Sequence, residues 1–463
     1  MNDRNKNIRL MFALFCMLFA LLVLQLVKYI LIDSKDIINN PYNPRLKLMD
    51  ENVRRGQITD SSGVILADST FDEREYPFGR KLSHLVGTAQ MGKSGVEGRY
   101  NILLQRPSME ILQRFRNLPT GGKVTGDTLM LTIDASIQEL VYSAFGKNTG
   151  AAVVMEPSTG RILAMVSKPD FDPGRITTDW DNLASDTTSS PLLNRATQGL
   201  YPPGSVFKVL TAVAAIENGL ADLIYECKGT AEFKGNILRC SNARAHGTVD
   251  MKKALVVSCN GFFAEAALEM SVDALHGVCG RVYFNRDLSY PIERGKSSFT
   301  LSTDASAFDI IQTAIGQGRT LVTPLHMCMV TSAIANGGQM MKPYVMSRRI
   351  SATGSAISLS LPEPLGQVFG AEVAEMLTEM MIEAVEEGTA KPASVAGVKI
   401  AAKTGTAQNA GGDDHGWVTA FAPTDAVPLI AIAVVMENSG GPRPGLDLVK
   451  KVVAGVLESQ TAN

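Results

Sequence analysis

The sequence has almost no net charge, no internal repeats and no low-complexity tracts. Its 44 basic and 46 acidic residues give a net charge of −2 at pH 7. No broadly basic face is therefore expected, and nucleic acid is not a predicted partner. Hydrophobic residues make up 45% of the chain and charged residues 19%, a composition typical of globular proteins. The length of 463 residues indicates two or more domains.

Cysteine is also scarce, and its spacing excludes the short metal-binding motifs. The chain has no C-x-x-C pair and no closely spaced Cys/His cluster, so neither a metal site nor a cofactor is predicted. Cys227 and Cys240 flank "KGTAEFKGNILR", which has the pattern of a short hairpin. Outside the cytoplasm this pair could form a disulfide, and two reduced buried thiols are the alternative. The six cysteines are Cys16, Cys227, Cys240, Cys259, Cys279 and Cys328.

The N-terminal segment contains the one long apolar run. Three basic residues precede a stretch from Leu10 to Ile32 that is interrupted by Gln25 and Lys28, which is long enough to cross a bilayer as a helix. A cleaved signal peptide and a buried core helix are the alternatives, but no small-x-small cleavage pattern follows the run. We predict an uncleaved anchor over 10–32, with residues 1–9 in the cytoplasm and the remainder extracytoplasmic.

The rest of the chain divides into two parts. Residues 33–145 are predicted to form a polar connector and a small irregular α/β pedestal, where Asp60–Gly63 has the pattern of a hairpin turn. Residues 146–463 are predicted to form a second domain. There "GAAVVMEPSTGRILAMVSKP" has the pattern of strand–turn–strand, and three strand-like runs and a helix over Leu446–Leu457 close the sequence. A sheet built from an early hairpin and late strands, with helices between, is an α+β arrangement.

The segment "YPPGSVFKVL" places a serine and a lysine three residues apart, on one face of a predicted helix. A serine hydroxyl becomes a good nucleophile when a neighbouring base takes its proton. Lys208 could be that base for Ser205 if burial among the surrounding apolar residues lowers its pKa. An N-cap serine followed by a surface lysine is the simpler alternative, since S-x-x-K occurs by chance in many proteins.

Two further motifs follow in order: Ser258-Cys259-Asn260, and Lys403-Thr404-Gly405-Thr406. The set S-x-x-K, S-x-N and K-T-G resembles the penicillin-recognising serine enzymes. "LNRATQGLYPPGSVFK", "AIGQGRTLVTPLHM", "EEGTA" and "HGWVTAFAP" are similar to stretches of the class B penicillin-binding proteins, although Val206 stands where threonine is more usual. The resemblance implies a peptidoglycan D,D-transpeptidase with an antiparallel sheet covered by helices on both sides.

The resemblance also implies a role for each motif residue. Ser205 would be acylated by a stem peptide and Lys208 would take its proton. Ser258 would relay a proton to the leaving amine, and Asn260 would hold Lys208 and the substrate amide. The K-T-G segment would bind the substrate carboxylate and complete the oxyanion hole; it comprises Lys403, Thr404, Gly405 and Thr406.

Several related activities share these motifs. A β-lactamase would need a deacylating glutamate, but no E-x-x-L-N stretch occurs between Gly261 and Ile400. A D,D-carboxypeptidase differs only in using water as acceptor, and a non-catalytic cell-wall scaffold could keep the motifs unused. The expected ligands are stem peptides and lipid-linked precursors, with β-lactams as covalent inhibitors. The resemblance also implies a SEDS-family glycosyltransferase as membrane partner, for which Gln25 is the candidate polar contact; Gln25 at the outer headgroups is the alternative.

Overall fold

A computed structural model describes residues 2–30, 53–69, 73–105, 124–288, 290–409 and 411–461. Leu31 and Ile32, which end the predicted membrane span, lie outside the described residues, as do residues 33–52, where the predicted connector and pedestal begin. The boundaries of the predicted pedestal and second domain stay predictions.

The first helix runs from Asn2 to Lys28. Its segment Asn5–Lys28 has a mean hydropathy of 2.8 and none of it is buried in the protein. It is the one helix among the described residues that is long and apolar enough to cross a membrane. A fully exposed apolar surface of this length is unfavourable in water and favourable in lipid, so the helix supports a single-pass membrane anchor.

The central sheet has five antiparallel strands and is buried on both faces. In spatial order the strands are Ala401–Ala407, His415–Ala422, Ile430–Met436, Gly150–Met155 and Ile162–Lys168. Alternate residues of one strand enter two different cores: Ala151 and Val153 join one, and Ala152 and Val154 join the other. This alternation explains why the strands are apolar throughout rather than at every second position.

Helices cover both faces of this sheet, which confirms the predicted α+β arrangement. One face contacts Ala135–Phe145 and Arg443–Thr461, and the other contacts the helix Pro324–Ala335, which is buried up to Ile334. The helix Ala135–Phe145 begins directly after Asp134, because the Asp134 carboxylate accepts hydrogen bonds from two backbone N–H groups of the first turn. The C-terminal helix is longer than the predicted Leu446–Leu457 at both ends.

A second five-stranded sheet, the pedestal sheet, combines strands from the predicted pedestal with strands from the predicted second domain. Its strands, in spatial order, are Ala356–Leu359, Met346–Ile350, Thr128–Leu131, Ile58–Thr59 and Ile65–Ala67. The predicted hairpin turn is confirmed, because Asp60 accepts hydrogen bonds from the backbone N–H groups of Ser62 and Val64, both at 2.8 Å. Two strands of this sheet come from residues after 345, so distant parts of the chain build it together.

The predicted pedestal contains a buried ion cluster. The Glu97 carboxylate is fully buried and pairs with Arg55 at 2.6 Å and with Arg74 at 2.7 Å. Burial alone would raise the pKa of Glu97, but the two arginines outweigh it and the pKa is lowered. The carboxylate is therefore charged, and each of its oxygens has a cationic partner.

The remaining elements connect these layers. The other α-helices are Ser83–Val86, Gly95–Arg99, Asn101–Gln105, Ile176–Ser185, Lys208–Glu217, Met251–Val256, Asn260–Glu269, Val272–Arg281, Ala307–Ala314 and Ala371–Glu386. Short two-stranded pairs are formed by Val53–Arg54 with Val124–Thr125, Tyr225–Cys227 with Gly247–Val249, Thr230–Phe233 with Asn236–Arg239, and Gln339–Met341 with Pro364–Gln367.

Candidate active site

The three sequence motifs meet at one cleft of about 450 Å³. The motif residues that line it are Ser205, Ser258, Asn260, Thr404, Gly405 and Thr406. The two remaining motif residues, Lys208 and Lys403, are fully buried directly behind this lining. The structure therefore brings together all eight motif residues, although about 200 positions separate Ser205 from Thr406.

Ser205 lies in a 3₁₀ turn, Gly204–Phe207, that leads directly into the α-helix Lys208–Glu217. The helix therefore begins slightly later than the sequence suggested. The two apolar residues after Ser205 are completely buried, while Ser205 itself is partly exposed to the cleft. Ahead of the turn, the indole N–H of Trp417 donates to the backbone oxygen of Pro202 at 3.0 Å. The turn is thus held on both sides and presents the hydroxyl to the cleft.

The Lys208 ammonium is connected to the second motif. Its Nζ donates to Asn260 Oδ1 at 2.6 Å, to the backbone oxygen of Ser258 at 2.8 Å and to Ser258 Oγ at 3.2 Å. Burial lowers the pKa of Lys208 to about 8. When the amine is neutral, its two N–H groups can serve the amide and backbone oxygens, which leaves the lone pair to accept from a serine hydroxyl.

Ser258 stands between the two buried lysines. Its Oγ lies 3.2 Å from Lys208 Nζ and 3.1 Å from Lys403 Nζ. Burial, followed by the neighbouring Lys208 charge, holds the pKa of Lys403 well below its ordinary value. Ser258 also has a φ of +56°, a left-handed backbone conformation that costs a residue with a Cβ about 1–3 kcal/mol. The surrounding structure must therefore hold this residue in place.

The K-T-G strand, Ala401–Ala407, forms one edge of the central sheet and runs close beside the serine turn. Two glycines permit this approach. A Cβ on Gly204 would lie 2.5 Å from the backbone oxygen of Thr406, and a Cβ on Gly405 would lie 3.0 Å from the Val206 side chain. The backbones of Ser205 and Thr406 are therefore neighbours, as an oxyanion hole made from both of their N–H groups requires.

Sequence reasoning did not single out several residues that complete the cleft. Thr389 accepts a hydrogen bond from Thr404 Oγ1 at 2.7 Å, and Gln317 donates to the backbone oxygen of Thr406 at 3.2 Å. Gly316 accepts from the backbone N–H of Gly204 at 2.8 Å. All three residues lie in "EEGTA" or "AIGQGRTLVTPLHM", two of the stretches that resemble the family. The resemblance did not assign a role to any single residue in those stretches.

A second group of reactive side chains adjoins the cleft, and the sequence motifs did not reveal it. Cys227, Cys240, His246 and Cys259 place their ligand atoms within 4.8 Å of one another. The prediction from spacing covered only ligands that are close in sequence, whereas these four residues are separated by intervals of 13, 6 and 13 residues and are brought together by folding. The thiols are free, with the Cys227 and Cys240 sulfur atoms 3.7 Å apart.

Comparison with known proteins is consistent with this geometry. Residues 150–458 match the family described as penicillin binding protein transpeptidase domain. The chain is 32% identical over 442 residues to peptidoglycan D,D-transpeptidase PbpA of Mycolicibacterium smegmatis, with 87% of each chain covered. It is 30% identical over 471 residues to the PbpA of Mycobacterium tuberculosis, with 94% of each covered.

Solved structures are similar over most of the chain. Penicillin-binding protein A of M. tuberculosis, as a ceftriaxone acyl-enzyme complex, has a TM-score of 0.82 at 28% identity and covers 89% of this chain and 100% of its own. The D,D-transpeptidase domain of a peptidoglycan glycosyltransferase from Eggerthella lenta has a TM-score of 0.81 at 29% identity, with 89% and 100% covered. The chain therefore belongs to the penicillin-binding protein transpeptidases, and within them to the class B type.

Proposed function

We propose that this chain, a serine-type peptidoglycan D,D-transpeptidase, cross-links stem peptides through an ester on Ser205. The observation that supports this most strongly is the hydrogen-bonded arrangement behind that serine, in which Lys208 contacts both Ser258 and Asn260 and Lys403 contacts Ser258. β-Lactams would form the same ester, because they offer a strained amide to the same hydroxyl.

In the acylation step, Ser205 Oγ attacks the penultimate D-alanine carbonyl and its proton passes to the neutral Lys208 amine. The Oγ–C bond forms as the C–N bond to the terminal D-alanine breaks. The lowered pKa of Lys208 supports this role, since a base is most effective when its pKa is near the working pH. The developing oxyanion is assigned to the backbone N–H groups of Ser205 and Thr406.

The leaving amine needs a proton, and Ser258 is assigned to deliver it. Its Oγ contacts both buried lysines, so a proton that it gives to the amine can be replaced from Lys208. Asn260 holds the Lys208 amine through Oδ1 and the backbone oxygen of Arg239 through Nδ2 at 2.8 Å. A stem-peptide amine from a second strand then attacks the ester, forms the cross-link amide and releases Ser205.

The K-T-G strand is assigned to bind the substrate. The hydroxyls of Thr404 and Thr406 face the cleft and suit a terminal carboxylate, with the Lys403 charge behind them. Gly405 keeps the strand close to the serine turn. As an edge strand, it also offers backbone groups to an extended peptide.

The acylation site is tested with full-length protein in detergent. After treatment with penicillin, mass spectrometry of a protease digest should place one adduct on the peptide containing Ser205, and Ser205→Ala should not be labelled. The matched control is Ser241→Ala, which changes another serine of the cleft lining and should be labelled like the wild type. An adduct on the peptide containing Ser258, or labelling that survives Ser205→Ala, contradicts the assignment.

The fate of the ester separates the transpeptidase from a β-lactamase. Hydrolysis needs a water held by a second general base, and the sequence contains no E-x-x-L-N stretch between residues 261 and 400. The penicillin ester should persist for many minutes with negligible turnover. Steady multiple-turnover hydrolysis would favour a β-lactamase, release of D-alanine without cross-linking would favour a carboxypeptidase, and no labelling would favour a non-catalytic scaffold.

The membrane arrangement is also part of the proposal. Basic residues precede the apolar helix, which supports a cytoplasmic N-terminus and an extracytoplasmic cleft. Lipid-linked precursors would then reach the site from the outer face, and a SEDS-family glycosyltransferase would contact the helix, with Gln25 as the polar contact. Co-purification of that partner should be lost when the helix is exchanged for an unrelated span; retention contradicts the contact.

A further inference from the structure

The Cys/His cluster has the dimensions of a four-ligand metal site. The Cys227 and Cys240 sulfur atoms are 3.7 Å apart, and those of Cys240 and Cys259 are 3.8 Å apart. Tetrahedral zinc with Zn–S bonds of about 2.3 Å places its sulfur ligands about 3.8 Å from each other. His246 Nδ1 lies 3.3 Å from the Cys227 sulfur, close to the distance of about 3.5 Å that the same tetrahedron requires.

We propose that Cys227, Cys240, His246 and Cys259 bind one zinc ion. Thiolate sulfur and imidazole nitrogen are the ligands that zinc prefers, and three cysteines with one histidine form a closed structural site with no position left for substrate. The three cysteines are buried and His246 is partly exposed, so an ion can enter from the histidine side. Zinc bound here would stabilise the fold and take no part in the acyl transfer.

The local fold explains why a metal is useful at this place. Residues 225–249 form two short two-stranded pairs, and such isolated pairs are marginally stable without further support. Cys227 ends the first strand of one pair, Cys240 directly follows the other pair, and His246 directly precedes the last strand. A single ion would therefore tie both pairs together and fix them to Cys259.

The alternative to metal binding at this place is a disulfide between Cys227 and Cys240. A disulfide needs sulfur atoms about 2.05 Å apart, whereas the observed separation is 3.7 Å. A disulfide would also involve only Cys227 and Cys240, and it would not explain why His246 and Cys259 lie close to them. The arrangement of four ligands around one point favours the ion over the bond.

The zinc site would act on the active site through position. Cys259 is the residue between Ser258 and Asn260, and it occupies the N-cap position of the helix Asn260–Glu269. Asn260 also donates to the backbone oxygen of Arg239, one residue before Cys240. Fixing Cys259 and Cys240 to one ion would therefore hold Ser258 in its strained backbone conformation. These ligands are positioning residues, and loss of the metal should slow acylation.

The first test is metal content, which needs no acylation and is therefore independent of the role proposed for Ser205. Full-length protein purified without chelator should contain about one zinc per chain by elemental mass spectrometry. His246→Ala and Cys240→Ser should lower zinc affinity by about 10- to 100-fold or more. Cys279→Ala, which changes a buried cysteine outside the cluster, should keep the metal. Equal zinc in all of these proteins, or none in the wild type, overturns the proposal.

The second test uses the wild-type protein alone, so it stands even if the variants fail to fold. Cobalt added after chelator treatment should give a thiolate charge-transfer band and the intense d–d bands of a tetrahedral site; a weak octahedral spectrum contradicts it. A Cys227–Cys240 disulfide in the purified protein, seen as an intact mass two hydrogens lighter, also contradicts it. Chelation should slow penicillin acylation, and zinc but not magnesium should restore the rate; an acylation rate unchanged by chelation would refute the positioning role.

Discussion

Substituting Gly316 tests whether close backbone contact positions the nucleophile. A Cβ at this position would lie 1.8 Å from the backbone oxygen of Gly204. Since Cβ contacts under 3.0 Å essentially never occur, the serine turn or the glycine loop must move by at least 3.0 − 1.8 = 1.2 Å. A displacement of about 1 Å in a catalytic constellation can lower the rate by about 100-fold. Gly316→Ala should therefore slow acylation of Ser205 by about 100-fold.

Gly318 provides a matched control in the same loop. Both glycines have a φ of +80°, but a Cβ on Gly318 would meet nothing closer than the Gln312 side chain at 3.7 Å. Gly318→Ala therefore carries the backbone strain, about 1–2 kcal/mol, without the displacement. Acylation by a fluorescent penicillin and thermal unfolding are measured for both variants in full-length protein. Equal loss of acylation in the two folded variants would refute the reasoning, as would a wild-type rate in Gly316→Ala.

Three further predictions concern single side chains. Lys208→Ala should lower the acylation rate by about 10²- to 10⁴-fold, the usual contribution of a general base, while circular dichroism still shows a folded protein. Thr389→Val removes the acceptor for Thr404 and should weaken acylation efficiency by about fivefold, corresponding to one hydrogen bond of about 1 kcal/mol. Glu97→Gln should lower the free energy of denaturant unfolding by about 3–5 kcal/mol at neutral pH. That loss should shrink as the pH falls, since the pKa of Glu97 is lowered in the fold; Glu139→Gln, in an exposed ion pair, should cost about 0–1 kcal/mol.

Features that depend on neighbouring residues could be predicted from the sequence. The helix Ala135–Phe145 is fixed locally, because Asp134 caps its first turn. The pedestal hairpin is fixed by the side chain of Asp60, which bonds the turn that follows it. The S-x-x-K motif was recognisable for the same reason, since a spacing of three is meaningful within one turn of helix.

Features that depend on chain topology could not be predicted in the same way. The pedestal sheet joins Thr128–Leu131 to Met346–Ile350 across more than 200 residues, and no local pattern encodes that pairing. The Cys/His cluster was missed because its ligands come from two strand pairs and a helix start. Thr389 was missed because nothing in the sequence distinguishes it from other threonines. Its contact with Thr404 exists only in the folded chain.

The two buried lysines show how the fold can lower the pKa of Lys208, the proposed base. Lys208 and Lys403 are both completely buried, and each contacts Ser258 Oγ. Two ammonium groups so close together in a medium of low dielectric repel each other, and burial lowers the pKa of both. The pair therefore loses a proton more easily than two isolated lysines would, and the two groups titrate together rather than independently. Because Ser258 Oγ bridges them, a proton can pass from Lys208 to Lys403 without crossing solvent. The lowered pKa makes the neutral Lys208 amine, which the proposed attack by Ser205 requires, easier to reach near neutral pH.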